Sequence, residues 1–217
     1  MIPNKELQKN ALEALDWEPS LDSRLIGVAA SDGVVTLTGQ VSSFADRLTA
    51  ERVVKGVAGV RGIANDLDVR LPGSSERSDS DLAAAAVKAL EWDIQVPQEL
   101  ITVRVSRGWV TLEGQVEWQY QREAADRAVR YLTGVLGVAN RISLTSRVTP
   151  CDVARRIEAA LKRHAELEAR RIRVETRGGK VVLEGAVHTW AEREEAERAA
   201  WSAPGVTAVE DHIGVMV

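Results

Sequence analysis

Three histidines and one cysteine are the residues of this sequence best suited to metal or thiol chemistry. His164, His188 and His212 all lie in the last third of the chain. No cysteine or carboxylate accompanies them at the spacing of a zinc site, so we expect no metal centre and no cofactor. Cys151 follows Pro150 at a predicted helix start, where thiols become reactive, yet no histidine or second cysteine is placed to use it.

Catalytic motifs are missing from the sequence. It contains no glycine-rich phosphate loop, no nucleophile elbow and no motif of paired carboxylates. We therefore expect no catalytic residues, and we expect a protein that acts by binding rather than as an enzyme.

Aromatic side chains are the first group that could bind a lipid surface. Four of them stand where a predicted strand enters a helix, namely Phe44, Trp118, Tyr120 and Trp190. Rings at exposed turns of this kind could sit at the headgroup boundary of a bilayer. The alternative is that they staple helix to strand within the fold.

Basic side chains near the end of the chain are the second such group. They are Arg155, Arg156, Lys162, Arg163, Arg170 and Arg171. On one face, each would contribute about 1 kcal/mol of attraction to an anionic bilayer. The alternative is a solvated surface in which Glu158 and Glu166 pair with them at helical spacing.

A segment that occurs three times shows how these residues are positioned. GVVTLTGQV at residues 33–41 returns as GWVTLEGQV at 108–116 and as GKVVLEGAV at 179–187. The offsets between copies are 75 and 71 residues, and they also relate Gly59, Gly134 and Gly205. Repetition of this length predicts three copies of one folding unit.

The predicted domains follow from these offsets. Repeat 1 covers residues 1–71, repeat 2 covers 81–146 and repeat 3 covers 147–217, while residues 72–80 form a flexible linker of Ser, Gly, Pro and charged residues. Units this small bury about 60% of their unfolded surface. We therefore expect the repeats to pack on one another or on an oligomeric partner.

Hydrophobic periodicity predicts the elements of each repeat. In repeat 1, Leu7, Ala11 and Leu15 have helical spacing, and from Ile26 the period changes to two. The same changes of period recur in repeats 2 and 3. The predicted fold class is α+β, with three tandem α-β-β-α-β units, each having two helices on one face of a three-stranded mixed sheet.

Nine glycines are interpreted as structural. We expect one in each copy to turn the hairpin, one to lie in the second strand where the following helix passes too close for a Cβ, and one to end the second helix. They are, in that order within each repeat, Gly33, Gly39 and Gly59, then Gly108, Gly114 and Gly134, then Gly179, Gly185 and Gly205.

Other positions that correspond between copies carry further expectations. Ser43 and Thr189 have the spacing of helix caps, whereas repeat 2 has Trp118 there and no visible cap. Trp17 and Trp92 follow the first helix in repeats 1 and 2, and Arg163 stands there in repeat 3. Because the fold does not require these tryptophans, we expect them to pack at an interface between repeats 1 and 2.

Composition limits the partners and the location. The formal net charge of −4 argues against a nucleic-acid partner held by phosphate contacts. One cysteine excludes an intrachain disulfide, and the N-terminal residues contain no signal-like apolar run. We expect a cytoplasmic protein, with peripheral attachment at the inner membrane as the further expectation.

The order of elements and motifs resembles a known family. A helix, a hairpin with Gly-x-Val-x-Leu-x-Gly-x-Val, a second helix, Gly-Val and a strand with Val-x-Asn/Asp-x-Ile/Leu are similar to the BON domain of bacterial osmotically inducible and nodulation proteins. The resemblance covers the chain three times. It implies a non-enzymatic module of osmotic-stress and envelope-maintenance proteins that contacts phospholipid, and it implies no catalytic residues.

The leading hypothesis is peripheral binding to an anionic phospholipid surface or to an envelope protein, in stress tolerance. One alternative is a soluble scaffold or oligomerising stress protein, and another is a protein that binds a small ligand or an ion. An exposed apolar patch ringed by Lys and Arg would favour lipid, whereas burial of the aromatic rings between repeats would favour a scaffold.

Overall fold

The same order of elements occurs in every repeat. The computed structural model describes residues 2–145, 153–163 and 172–216. Repeat 1 contains α1 (Asn4–Asp16), β1 (Ile26–Ser31), β2 (Val34–Val41), α2 (Phe44–Lys55) and β3 (Gly62–Val69). Repeat 2 contains α3 (Asp79–Trp92), β4 (Ile101–Ser106), β5 (Trp109–Val116), α4 (Gln119–Arg130) and β6 (Gly137–Leu144). Repeat 3 contains α5 (Val153–Arg163), β7 (Ile172–Arg177), β8 (Lys180–Val187), α6 (Trp190–Trp201) and β9 (Ala208–Val215).

Each repeat has its own three-stranded mixed sheet, and the second strand is central. In repeat 1, β1 pairs antiparallel with β2, with Val28 opposite Leu37, and β2 pairs parallel with β3, with Leu37 opposite Asn65. Repeat 3 has the same pairing. The predicted α+β fold of three tandem units is therefore confirmed.

One face of each sheet forms the core. In repeat 1, Val35 and Leu37 of the central strand are fully buried with Leu7, Ala11 and Leu15 of α1. The opposite face carries exposed polar residues such as Thr38 and Asp66. The helices therefore cover only one side, as the alternation predicted. Within the described ranges, none of the helices is long and apolar enough to cross a membrane.

The hairpin turns of repeats 1 and 2 are held by the start of the preceding helix. Asp32 and Gly33 both have positive φ, as do Arg107 and Gly108, which is the geometry of a two-residue type I′ turn. The Asn4 Oδ1 atom accepts a hydrogen bond from the Asp32 amide at 3.0 Å. In repeat 2 the Asp79 carboxylate accepts from the amides of Arg107 at 2.7 Å and Gly108 at 2.9 Å.

The turn of repeat 3 differs. Positive φ lies at Gly178, which corresponds to Asp32 and Arg107, and not at Gly179. A glycine of the turn thus supplies the positive φ, as expected, but it is Gly178 and not Gly179, which corresponds to Gly33 and Gly108.

The second strand requires glycine for a different steric reason from the one expected. Gly39 has φ +112°, and a Cβ there would lie 2.0 Å from the carbonyl oxygen of Leu25, the residue before β1. Gly114 repeats this arrangement with φ +149° and a distance of 2.1 Å to the Leu100 carbonyl oxygen. The expected crowding by the following helix is wrong, since the backbone leading into the neighbouring strand excludes the Cβ.

The start of the second helix has a capping hydrogen bond in all three repeats. The Ser43 and Thr189 hydroxyls accept from the amides of Asp46 and Glu192, each at 3.1 Å, as predicted. Repeat 2 is capped from the other side, because the Gln121 side-chain oxygen accepts from the Trp118 amide at 3.1 Å. The expectation that repeat 2 lacks a cap is therefore wrong.

The linker is shorter than the sequence predicted. α3 begins at Asp79, and the Ser78 hydroxyl caps it by accepting from the Asp81 amide at 3.1 Å. Residues 79 and 80 thus belong to the helix. Before it, Gly73–Ser75 form a short 3-10 turn.

Replacing Gly39 by Ala is expected to lower the free energy of unfolding by about 1–3 kcal/mol, because the Cβ meets backbone that must move. Gly73→Ala is the matched control, since nothing lies within 4 Å of a Cβ there. Urea denaturation followed by circular dichroism measures both. Equal midpoints for the two variants would contradict this account.

The contact of Asp79 with the turn is expected to be pH-dependent. Hydrogen bonds from the amides of Gly108 and Arg107 hold the pKa of Asp79 below its ordinary value of 3.8. A carboxyl with a lowered pKa in the folded state stabilises that state above its unfolded pKa, and the stabilisation is lost as the pH falls through the folded pKa.

Asp79→Asn keeps an acceptor, as Asn4 does in repeat 1, but removes the titration. The urea midpoint of the variant should therefore fall less than that of the parent between about pH 6 and pH 3. Other carboxyl groups titrate equally in both proteins, so the difference isolates Asp79. Parallel pH profiles would show that the contact contributes nothing.

Candidate binding surfaces

The aromatic residues at the strand-to-helix junctions are mostly half-buried. Phe44, Trp118 and Trp190 are of intermediate exposure, whereas Tyr120 is 50% exposed. The Trp118 and Tyr120 rings lie 6.4 Å apart, and the Arg193 guanidinium lies 5.0 Å from the centre of the Trp190 ring. Three of the four rings therefore present only part of their surface to a partner.

The second helix is fastened to the third strand by an arginine that sequence reasoning missed. In repeat 3 the Arg193 Nε atom donates to the Asp211 carboxylate at 2.6 Å. In repeat 1 an Arg47 terminal nitrogen donates to the Asn65 carbonyl at 2.8 Å, and the Asn65 amide donates back to the Arg47 carbonyl at 3.3 Å. Arginine stands at corresponding positions in the three repeats, at residues 47, 122 and 193, and this recurrence could have indicated the contact.

The basic group of repeat 3 is only partly described. Arg155 and Arg156 are exposed on α5, and Lys162 and Arg163 fall in the last turn of the same helix. Arg170 and Arg171 lie outside the described residues, so the single basic face stays a prediction.

The candidate metal and thiol residues are not brought together where they are described. His188 and His212 are exposed, and the His188 Nδ1 atom lies 3.9 Å from the Glu192 carboxylate. His164 and Cys151 lie outside the described residues. In the ranges that the structure covers, no three His, Cys, Asp or Glu side chains are grouped to hold a metal ion.

The most exposed large aromatic rings are Trp17 and Trp92. Trp17 is 89% exposed and Trp92 is 81% exposed. The expectation that they pack between repeats 1 and 2 is therefore wrong. Sequence showed that the fold does not need them, but their exposure depends on where the helix ends relative to the sheet.

Each of these rings stands where the first helix of its repeat ends, and exposed aliphatic residues follow it in the sequence. Trp17 directly follows α1, and the short turn Ser23–Leu25 returns to that helix end through a hydrogen bond from the Ser23 hydroxyl to Asp16. Leu25 in this turn is exposed, as is Leu100 at the corresponding position of repeat 2. We call Trp17 with Leu25, and Trp92 with Ile94 and Leu100, the tryptophan corners.

Charges of both signs surround the corner of repeat 1. Trp17 borders a groove of about 540 Å³ that Glu13, Glu18 and Val53 also line. Hydrogen bonds from Ser20 and then from Arg52 lower the pKa of Glu18, and Arg52 lies 3.0 Å from its carboxylate. The groove is thus not ringed by Lys and Arg alone.

The corner of repeat 2 has a more acidic sequence. Trp92 stands between Glu91 and Asp93, and Glu99 precedes Leu100. Ile94 is fully exposed. Both corners therefore offer a partner apolar contact. Neither offers a predominantly positive surface that would attract an anionic partner.

Comparison with known proteins gives a consistent result for the family. The family model of the BON domain matches residues 3–70, 78–146 and 152–216. Osmotically-inducible protein Y of Escherichia coli (strain K12) is 35% identical over 132 residues. That match covers 58% of this chain and 65% of the relative, so the chain spans slightly less than two thirds of that protein.

Two solved structures are more distant. CdsD, a structural protein of the type III secretion system of Chlamydia trachomatis, has 13% identity and a TM-score of 0.27, with 96% of this chain and 91% of that chain covered. The C-terminal domain of CdsD has 14% identity and a TM-score of 0.27, with both chains fully covered.

Exposure of the corners predicts that they contribute little to stability. Trp92→Ala is expected to change the free energy of unfolding by less than about 0.5 kcal/mol. Trp201→Ala is the matched control, because Trp201 packs against the core of repeat 3 and donates from Nε1 to Glu197 at 3.2 Å. Its loss should cost about 2 kcal/mol or more. Urea denaturation measures both variants. A larger loss of unfolding free energy in Trp92→Ala than in Trp201→Ala would contradict the exposure of Trp92.

Proposed function

Since the chain belongs to the BON domain family, we propose that it is a non-enzymatic stress protein that associates peripherally with phospholipid surfaces through its tryptophan corners. The observation that carries the proposal is the exposure of Trp17 and Trp92 at corresponding places in two repeats. The name of the relative, an osmotically-inducible protein, supports the role in stress tolerance.

The corners have the chemistry that a membrane interface accepts. An indole ring has a large apolar body and one N–H donor, and it is favoured at the level of the lipid headgroups. In repeat 2, Ile94 and Leu100 add aliphatic surface that gains about 25 cal/mol for each Å² removed from water. Insertion of these side chains requires no change in the core.

Positive charge for an anionic bilayer would come from elsewhere in the chain. Arg155 and Arg156 are exposed on α5 of repeat 3. Basic residues near an anionic surface contribute about 1 kcal/mol each and lose this contribution at high salt. Membrane binding should therefore have a salt-insensitive contribution from the corners and a salt-sensitive contribution from α5.

A second candidate function is that of a soluble scaffold whose corners bind a protein. The observation that favours it is the presence of carboxylates beside both corners, Glu13 and Glu18 in repeat 1 and Glu91 and Asp93 in repeat 2. Anionic lipid would be repelled by these groups, whereas a partner with basic residues around an apolar patch would fit them.

Flotation with liposomes of graded anionic content, at low and high salt, tests the proposal. We expect the full chain to float and the double variant Trp17→Ala/Trp92→Ala to lose at least about tenfold in binding. Tyr131→Ala is the control, since Tyr131 is an exposed aromatic residue outside the corners.

Failure to float at any lipid composition would reject the lipid function. Sedimentation of the same proteins then tests the second candidate. A concentration-dependent increase in mass that the double variant abolishes would support self-assembly through the corners.

A further inference from the structure

A pocket of about 500 Å³ lies where repeat 1 leads into repeat 2. Segments distant in sequence line it, including the residues after β3, the end of the linker, the β4–β5 turn and the loop before β6. The side chains relevant to its chemistry are Arg70, Arg77, Arg107, Asp79, Leu71 and Leu136.

Three arginines line this pocket, and their guanidinium groups leave much of their donor capacity unused. Arg107 makes no side-chain hydrogen bond or ion pair within the described part of the chain. Arg77 uses one terminal nitrogen for the carbonyls of Ser74 at 2.9 Å and Glu76 at 2.8 Å. Arg70 donates from Nε to Asp68 at 3.1 Å. Each guanidinium has five N–H donors, so several remain for a ligand.

The acidic residues at the pocket do not cancel this charge. Asp79 accepts from the amides of Arg107 and Gly108, so its carboxylate holds the turn that carries Arg107. The three arginines outnumber the two lining carboxylates, Asp79 and Glu76, so the lining residues carry one net positive charge. The chain as a whole has a net charge of −4, so this pocket is a local exception.

Comparison of repeats 1 and 2 shows that the arginine at position 77 is not needed for folding. The second helix of repeat 1 ends at Lys55 with Gly56 as its cap, so the expectation that Gly59 ends it is wrong. Gly59 lies in the loop that follows, and Ile2, two positions before α1, packs against it. Arg77 takes the same place on Gly134, where a Cβ would lie 2.9 Å from the Arg77 Cβ. An aliphatic side chain therefore suffices for the packing.

Arg107 occupies a turn position that suits other residues better. Its φ is +51°, a conformation in which Gly, Asn and Asp are favoured. Repeat 1 has Asp32 there and repeat 3 has Gly178. An arginine that accepts backbone strain, with no side-chain hydrogen bond or ion pair in the described ranges, points to a role outside the fold.

We propose that this arginine pocket binds a phosphate group. Guanidinium forks match phosphate oxygens in geometry and charge, and three of them from separate segments can surround one anion. Leu71 and Leu136 in the same lining accept the apolar part of a phosphorylated amphiphile. The site is separate from the tryptophan corners and does not depend on the function proposed for them.

Isothermal titration calorimetry of the full chain tests the site with two probes, inorganic phosphate and a short-chain phosphatidate kept below its micelle concentration. Acetate at equal ionic strength is the reference anion. We expect saturable binding that Arg107→Ala weakens about tenfold. Arg77→Ile, which installs the residue of repeat 1, should weaken it similarly while keeping the packing on Gly134.

Arg104→Ala is the matched control, because Arg104 is an exposed arginine on β4 that pairs with Glu113 outside the pocket. Binding of both probes, or of either one alone, supports the site and identifies a free phosphate or a lipid headgroup as its source. Binding of neither probe, or equal affinity in Arg107→Ala, Arg77→Ile and the control, would overturn it.

The two proposals fail separately. Trp17→Ala/Trp92→Ala is expected to bind phosphate like the parent chain, because the corners do not line the pocket. Failure of the parent chain to float, together with intact phosphate binding, would reject the membrane role and leave the arginine pocket standing.

Discussion

In each repeat, two neighbouring inward side chains of the central strand are removed from water altogether. They are Val35 and Leu37 in repeat 1, Val110 and Leu112 in repeat 2, and Val181 and Leu183 in repeat 3. Burial of such a side chain contributes about 1.5–3 kcal/mol, a large share of the stability of so small a unit. The helices must lie on the face where these residues point, and the other face is left to polar side chains. Three further features hold the helices on this face of the sheet. They are the hairpin turn, the helix caps and the arginine that joins the second helix to the third strand.

Features that could carry function lie where the repeats differ from one another. The core residues correspond in all three copies, so they report on folding alone. Trp17 and Trp92 have no counterpart in repeat 3, and Arg107 has a different residue in each of the other two turns. Positions that differ between copies of one fold are not fixed by that fold, because each copy folds with a different residue there. Divergence between copies is therefore as informative here as the repetition.

The sequence predicted the elements well because the period of the apolar residues changes with each element. Leu7, Ala11, Ala14 and Leu15 fit one stripe of a helix, and Val35 and Leu37 fit one face of a strand. It could not predict effects that depend on the path of the backbone between elements. Gly39 is required by the Leu25 carbonyl, and Trp92 is exposed because of where its helix ends. The cap from Gln121 could have been found, since the glutamine stands three residues after Trp118.

The parallel pairing in the sheets has a consequence for how the chain folds. In repeat 1, Val34 pairs with Gly62, and in repeat 3, Lys180 pairs with Ala208, so paired residues of the two parallel strands stand 28 positions apart in the chain. All strand pairing within a sheet stays inside one repeat, which keeps the contact order low for a chain of 217 residues. A repeat has every strand it needs once its own residues have left the ribosome. Repeat 1 can therefore complete its sheet during synthesis, before repeat 3 exists to compete for its strand edges.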